Sequence, residues 1–403
     1  MLKKSICTFC VILLCLPLLS GCWDSLDIEK SATILGIAID KVESGDAQET
    51  GKITHFDEDD LTEEMIRLTA QISVPGRIPL GPETGGGGGE QEPVWVLRAI
   101  GHTIDDAMLN LQQELADEIF LGHLRIIVVS EEIAREGVER FNDFLRRQPE
   151  VRRTTWMVVS KEEAARYMEV APKLERVPGL YVTAMVDNAV DLGKFPNDFA
   201  GIFWSHLSSK GQDGYLPYLK IKDEDNIEIE GLSYFKGEKM IGVIDPIEIG
   251  LFMGAINQKQ GGYGAFIQVP DTKERVLVRA ERRNTKTKTA IKDGKPEVHL
   301  RIRYEGEIEE KTVGNINIDD PKIIQKIEKQ ATKETTAALK KLIAKLQEEE
   351  SDIFGFGERI RAEHPSYWNK QVKTKENWHN IYKDIDIHVE MTTHIRRVGM
   401  KEK

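Results

Sequence analysis

His388, Glu390 and His394 alternate along one segment near the C-terminus and carry donor types that bind zinc, two imidazoles and a carboxylate. On a strand, however, residues six apart lie about 20 Å from one another. One ion, with bonds of about 2 Å, cannot bridge that span. Only His388 and Glu390 could share a metal, and a solvated sheet face is expected instead. His123, after Leu121 and Gly122, has the chemistry of a general base, but a histidine leading into a strand is expected to pack and bond locally. The run "RRQPEVRR" brings Arg146, Arg147, Arg152 and Arg153 together and could hold an anion; a solvated corner with nearby carboxylates is expected. No HExxH or GxSxG motif is present. The sequence therefore leads us to expect no catalytic residue, no cofactor and no metal site.

One residue does carry defined chemistry. Lys3 and Lys4 precede an almost wholly apolar run from Ile6 to Leu19, which ends in Leu19-Ser20-Gly21-Cys22. Fourteen residues make about 21 Å of helix. That is too short for a stable span, which needs roughly twenty, and fits the apolar core of a signal peptide. Small residues before a cysteine form a lipobox. The Cys22 thiol would attack a diacylglycerol donor to form a thioether, and cleavage between Gly21 and Cys22 would leave a lipidated N-terminus that is then N-acylated. Cysteine is nucleophilic enough near neutral pH for that step. Two acyl chains supply the dual anchoring that one chain cannot, at about 0.8 kcal/mol per buried methylene. Cys7, Cys10 and Cys15 leave with the signal, so the mature chain is expected to have no disulfide.

The elements that must carry these residues are legible in part. Without Lys3 and Lys4 the chain has 53 basic against 67 acidic residues, a net charge of −14. That excludes a general electrostatic attraction to nucleic acid or anionic lipid. "SATILGIAIDKV" and "MIRLTAQISVP" read as strands, separated by an acidic loop from Glu43 to about Glu64. Five successive glycines, Gly85 to Gly89, mark a flexible loop over 76–93. In "VWVLRAIGHTIDDAMLNLQQELA" a strand precedes a helix capped by Thr103, with Asp106 standing where a capping box has Glu. Strands and helices then alternate to about residue 170, the pattern of an α/β layer.

Further on, "NIEIEGLSYFKGEKMIGVID" reads as a hairpin turning at Lys236–Gly237. Asp320 and Pro321 open the longest helix, and Ile324, Ile327, Ala331, Thr335, Ala338, Leu342 and Leu346 form its apolar stripe. Trp368 and Trp378 read as anchors of a segment packed on the sheet. The final "DIDIHVEMTTHIRRVG" is a half-buried strand. The expected architecture is α+β and multidomain. It comprises a signal peptide (1–21), an N-terminal α/β domain with a mixed sheet (22–200), and a small hairpin-and-helix middle domain (201–264). A C-terminal α+β domain follows (265–403), an antiparallel sheet covered by one long helix (321–350).

These segments carry a resemblance. "GCWDSLDIEKSATILGIAIDK" resembles the start of the Ger(x)C spore germination lipoproteins. "GHTIDDAMLNL", "FLGHLRIIVVSEEIAREG", "FLRRQPEVRRTTWMVVSKEEA", "LSYFKGEKMIGVI" and the ending from "HPSYWNKQ" are similar to that family in order along nearly the whole mature chain. The acidic stretch after residue 43 and the five-glycine loop depart from its pattern. The resemblance implies a C-type subunit of a nutrient germinant receptor, lipid-anchored on the outer face of the spore inner membrane. It would act with A-type and B-type membrane subunits and catalyse nothing. Only Cys22 carries over as a site. The alternative is a solute-binding lipoprotein of an envelope transporter, which would show two similar lobes around a cleft.

Overall fold

The computed structural model describes residues 31–42, 65–76, 92–170, 175–223, 226–258, 261–312, 314 and 316–398. Gly21 and Cys22, the acidic loop and the five glycines lie outside the described residues. Among the described residues, nine strands make the first sheet: β1 (Ser31–Lys41), β2 (Ile66–Ser73), β3 (Val94–Gly101), β4 (Glu118–Phe120), β5 (Ile126–Ser130), β6 (Trp156–Ser160), β7 (Tyr215–Lys222), β8 (Asn226–Lys236) and β9 (Lys239–Ile244). Their order is β3-β2-β1-β5-β6-β7-β8-β9, with β4 beside β1. The sheet is mixed, as expected: β1, β5, β6 and β7 run parallel, and antiparallel strands flank them.

The centre of this sheet is covered on both faces, which is why β5 and β6 are buried at every position. Ile127 and Val129 point into one core and Ile126 and Val128 into the other. The first core is closed by α1 (Ile104–Gln113), α2 (Glu131–Glu136), α3 (Glu139–Arg147) and a later helix, numbered α5 (Ala200–Ser208). The second is closed by a 3₁₀ turn (Ala164–Met168) and α4 (Pro178–Asp191). Thr103 caps α1 by accepting from the Asp106 N–H, while the shorter Asp106 side chain reaches one residue further back, to the His102 N–H.

Asp40 ties β1 to the 3₁₀ turn. Its buried carboxylate accepts from the backbone N–H groups of Ala164 (2.6 Å) and Ala165 (2.9 Å). Burial lifts its pKa from 3.8 to about 6, against the pull of those two donors. The folded chain therefore holds this proton more tightly than the unfolded chain. The resulting stability is complete below about pH 4 and is lost as pH rises through the folded value of about 6. Between pH 7 and pH 4 the wild type should gain on Asp40→Asn by up to about 3 kcal/mol of unfolding free energy. A constant offset between the two chains across that range would contradict this.

The second sheet has, among the described residues, four strands, β10 (Gly264–Gln268), β11 (Arg275–Lys292), β12 (Lys295–Lys311) and β13 (Asp386–Val398), in that order. β11 and β12 form a long hairpin whose turn residues, Asp293 and Gly294, both have positive φ (50° and 77°), the backbone of a tight two-residue turn. α6 (Pro246–Ala255) and the long α7 (Pro321–Glu348) pack on its inner face, and Leu339, Leu342, Ile343 and Leu346 join that core. Asp320 caps α7 by accepting from the Lys322 N–H, and Pro321 fills the first helical position. The segment between α7 and β13 contains α8 (Phe356–Glu363), a π-turn (Trp368–Val372) and α9 (Lys375–Tyr382). Among the described residues no helix is long and apolar enough to cross a membrane.

Two details differ from the sequence expectation. The second sheet is not wholly antiparallel, because β13 runs parallel to β12. The helices between them return the chain to the end of the sheet where β12 begins, and a parallel pair requires such a crossover. The stretch 201–264 is shared between the two sheets instead of standing alone. β7 continues the first sheet beside β6 and carries the β8–β9 hairpin with it, while α6 packs against the second sheet.

Candidate functional site

The structure keeps the sequence candidates apart. His388 Nε2 lies 2.6 Å from Glu297 Oε1, Glu390 accepts from Arg301 Nε at 2.9 Å, and His394 Nδ1 sits 3.8 Å from Glu328. His123 is exposed and rests edge-on against Phe120. Arg147 pairs with Asp143, Arg146 donates to Ser208 Oγ, and Arg152 and Arg153 are exposed, so the arginines do not converge on one point. Trp368 and Trp378 are buried as anchors, their rings 5.6 Å apart.

Sequence reasoning missed two features. The first is a buried polar junction where the α5–β7 loop meets the α7–α9 region. Asp213 is fully buried, and its carboxylate accepts from the Gly237 N–H (2.9 Å) and the Asp352 N–H (3.0 Å). It also lies 3.0 Å from His379 Nε2 and 3.4 Å from Lys375 Nζ. Burial works to raise its pKa, but His379 and Lys375 outweigh that and hold the carboxyl below its ordinary value. Asp352 in turn accepts from the N–H groups of Phe356, Gly357 and the Trp378 indole. With no cation on Asp352 to offset burial, its pKa is pushed up to about 7. Gly211 and Gly357 pass so closely that a Cβ on Gly211 would fall 2.3 Å from the Gly357 carbonyl carbon. Glycine is the residue that permits this approach.

The second feature is an apolar cavity of about 490 Å³ between α6, the inner face of the second sheet and the middle of α7. Small residues create it. Gly250, Ala280, Gly306, Ala331 and Ala338 line it where larger side chains would close it. At its rim Phe266 and Ile247 are 54% and 56% exposed, unusual for apolar side chains of that size. Buried Arg283 stands at the base and donates to the carbonyls of Gly250 (3.0 Å) and Gly193 (3.1 Å), which fixes the start of the cavity wall. The volume falls in the range of sites for small apolar groups, about 300–1,000 Å³. Its lining is mainly apolar, with Arg283, Glu334 and Thr335 among its polar residues. The sequence did carry a faint signal, since Thr335 and Ala338 interrupt the bulky residues of the α7 stripe.

Comparison with known proteins adds the family. The model described as "Spore germination protein N-terminal domain" matches residues 24–221, and that described as "Spore germination B3/ GerAC like, C-terminal" matches residues 230–399. YfkR of Bacillus subtilis (strain 168) is 28% identical over 415 residues, spanning 100% of this chain and 99% of that one. Spore germination protein KC of the same organism is 24% identical over 413 residues, spanning 97% and 95%. Spore germination protein GerQC of Bacillus cereus is 24% identical over 334 residues, spanning 83% and 90%. The crystal structure of the GerBC protein shares the fold, with a TM-score of 0.52 at 18% identity over 83% of this chain and 94% of that chain. Matched in order over both halves, the chain belongs to the GerAC-like family of spore germination proteins.

Proposed function

We propose that the protein is the lipid-anchored, non-enzymatic subunit of a spore nutrient germinant receptor. It acts with A-type and B-type membrane subunits at the outer face of the spore inner membrane. The observation that carries this reading is the lipobox ending at Cys22, two residues before the family match begins at residue 24. In this reading the signal peptide is 1–21, Gly21–Cys22 is the cleavage site, and Cys22 bears both the thioether-linked diacylglycerol and the N-acyl chain. The boundary between the two family matches, at residues 222–229, falls within the β7–β8 hairpin of the first sheet. An acidic body with a net charge of −14 gains little from anionic lipid surfaces, so the acyl chains supply the affinity and raise the local concentration beside the membrane subunits. A solute-binding lipoprotein would need two similar lobes across a cleft, and sheets of nine and four strands are not similar lobes.

Cys22→Ala should move the protein from the membrane fraction to the soluble fraction. Spores carrying only this variant should respond to the receptor's nutrients as poorly as spores lacking the gene. Retention of the variant in the membrane fraction would overturn the anchor; release with full nutrient response would overturn its role.

A further inference from the structure

We propose that Glu297, His299, Asp386 and His388 form a binding site for a divalent transition metal, zinc foremost. Two tripeptides supply it, Glu297-Val298-His299 on β12 and Asp386-Ile387-His388 on β13. Within each, residues two apart share a face of the sheet. The parallel register sets Glu297 beside Asp386 and His299 beside His388, so four donor side chains occupy the corners of one square. Val298 is buried on the opposite face and holds that end of the square against the core.

The donor atoms are already close. Those of Glu297, His299 and His388 all lie within 4.8 Å of one another. His388 Nε2 is 2.6 Å from Glu297 Oε1, and His299 Nε2 is 3.6 Å from Glu297 Oε2. The two imidazoles stack with centroids 4.7 Å apart. A tetrahedral zinc with bonds of about 2.0–2.1 Å needs donors roughly 3.3 Å apart, which small side-chain rotations reach from here. Asp386, exposed and paired with Glu297 in the register, lies outside that group of three and would supply the fourth donor by turning its carboxylate toward it. The ligands stand on paired strands and not on loops, which favours a fixed geometry. Two carboxylates and two neutral imidazoles balance a doubly charged ion. Lys288, opposite His299 on β11, and Lys292 are the nearby cations, while Arg301 is engaged by Glu390. Nitrogen and oxygen donors together select zinc, nickel, cobalt or copper over magnesium and calcium. A bound ion would fasten β13 to β12, two strands that the chain joins only after the excursion through α7 to α9.

The proposal is independent of the receptor reading, and its test needs no activity. Titration calorimetry of the tag-free mature chain (22–403), with Cys22→Ser to remove its one thiol, should show one equivalent of zinc bound from zinc chloride, and magnesium and calcium chloride should give no binding. Losing an outer-shell partner typically weakens a metal site by about 10–100-fold, so His299→Ala or His388→Ala should each weaken zinc by at least about 100-fold. His394→Ala, on the same face but further along β13, should bind as the wild type does. Zinc should raise the unfolding midpoint of the wild type and not that of His388→Ala. These side chains are exposed, so the variants are expected to fold. Absence of zinc binding by the wild type, or undiminished binding by His299→Ala and His388→Ala, would overturn the proposal and leave a solvated ion pair.

Discussion

Asp213→Ala is expected to lower the unfolding free energy by about 3–5 kcal/mol, the usual cost of removing one partner from a buried ion pair. The wild-type carboxylate is fully buried and serves four groups: the N–H of Gly237, the N–H of Asp352, His379 and Lys375. Alanine would leave the buried Asp352 N–H and the half-buried Gly237 N–H unpaired, and Lys375 without its counter-ion. Lys375 also donates to the carbonyls of His206 and Leu207, so the ammonium would stay inside a poorly solvated pocket. The change is measured by the denaturant midpoint at constant slope. The groups that Asp213 joins come from both sheets' surroundings, so the whole transition should shift and not only one half of it. A loss below about 1 kcal/mol, the value of an exposed pair, would show that the junction does not hold the halves together.

Trp378→Ala is the second large effect, about 3–5 kcal/mol for removing a buried aromatic ring. Trp378 is fully buried between Trp368 and Tyr382, with centroids at 5.6 and 6.0 Å. Gly357 lies so close that its missing Cβ would stand 2.4 Å from the indole. The indole N–H also donates to Asp352 Oδ2 at 3.0 Å. Trp378→Phe keeps most of the packing and removes that donor, so it should cost about 1–3 kcal/mol, the penalty of one lost buried hydrogen bond. Equal losses for the two variants in the same denaturation experiment would mean that the hydrogen bond, and not the ring's packing, carries the effect.

The sequence analysis succeeded where interactions are local. β1, α1 with its Thr103 cap, and α7 with its Asp320–Pro321 start follow from periodicity and cap chemistry. The inward face of β13 follows from alternation, and the two tryptophan anchors follow from residue type. Local reasoning about His388 reached only Glu390 and His394 on its own strand. The relevant neighbours, Glu297 and His299, lie on another strand, 91 residues away in the case of Glu297. Register between distant strands depends on how the intervening helices return the chain, and alternation alone does not state it. Asp213 and Asp352, 139 residues apart, share the same difficulty. Each sits in an unremarkable polar loop, and only packing makes their carboxylates buried.

By itself, then, the sequence determined the elements, the acidic composition, the confinement of all four cysteines to the first 22 residues, the expectation of a lipid anchor at Cys22, and the family. Those properties reside in contiguous residues, whose hydrophobic period, caps and small-residue patterns act over a few positions. Tertiary structure alone decided that 201–264 is divided between two sheets, that β13 lies parallel to β12, and that small residues from α6, α7 and the second sheet enclose an apolar cavity. These outcomes depend on side chains far apart in the chain competing for the same buried space, a competition settled only when the whole chain packs.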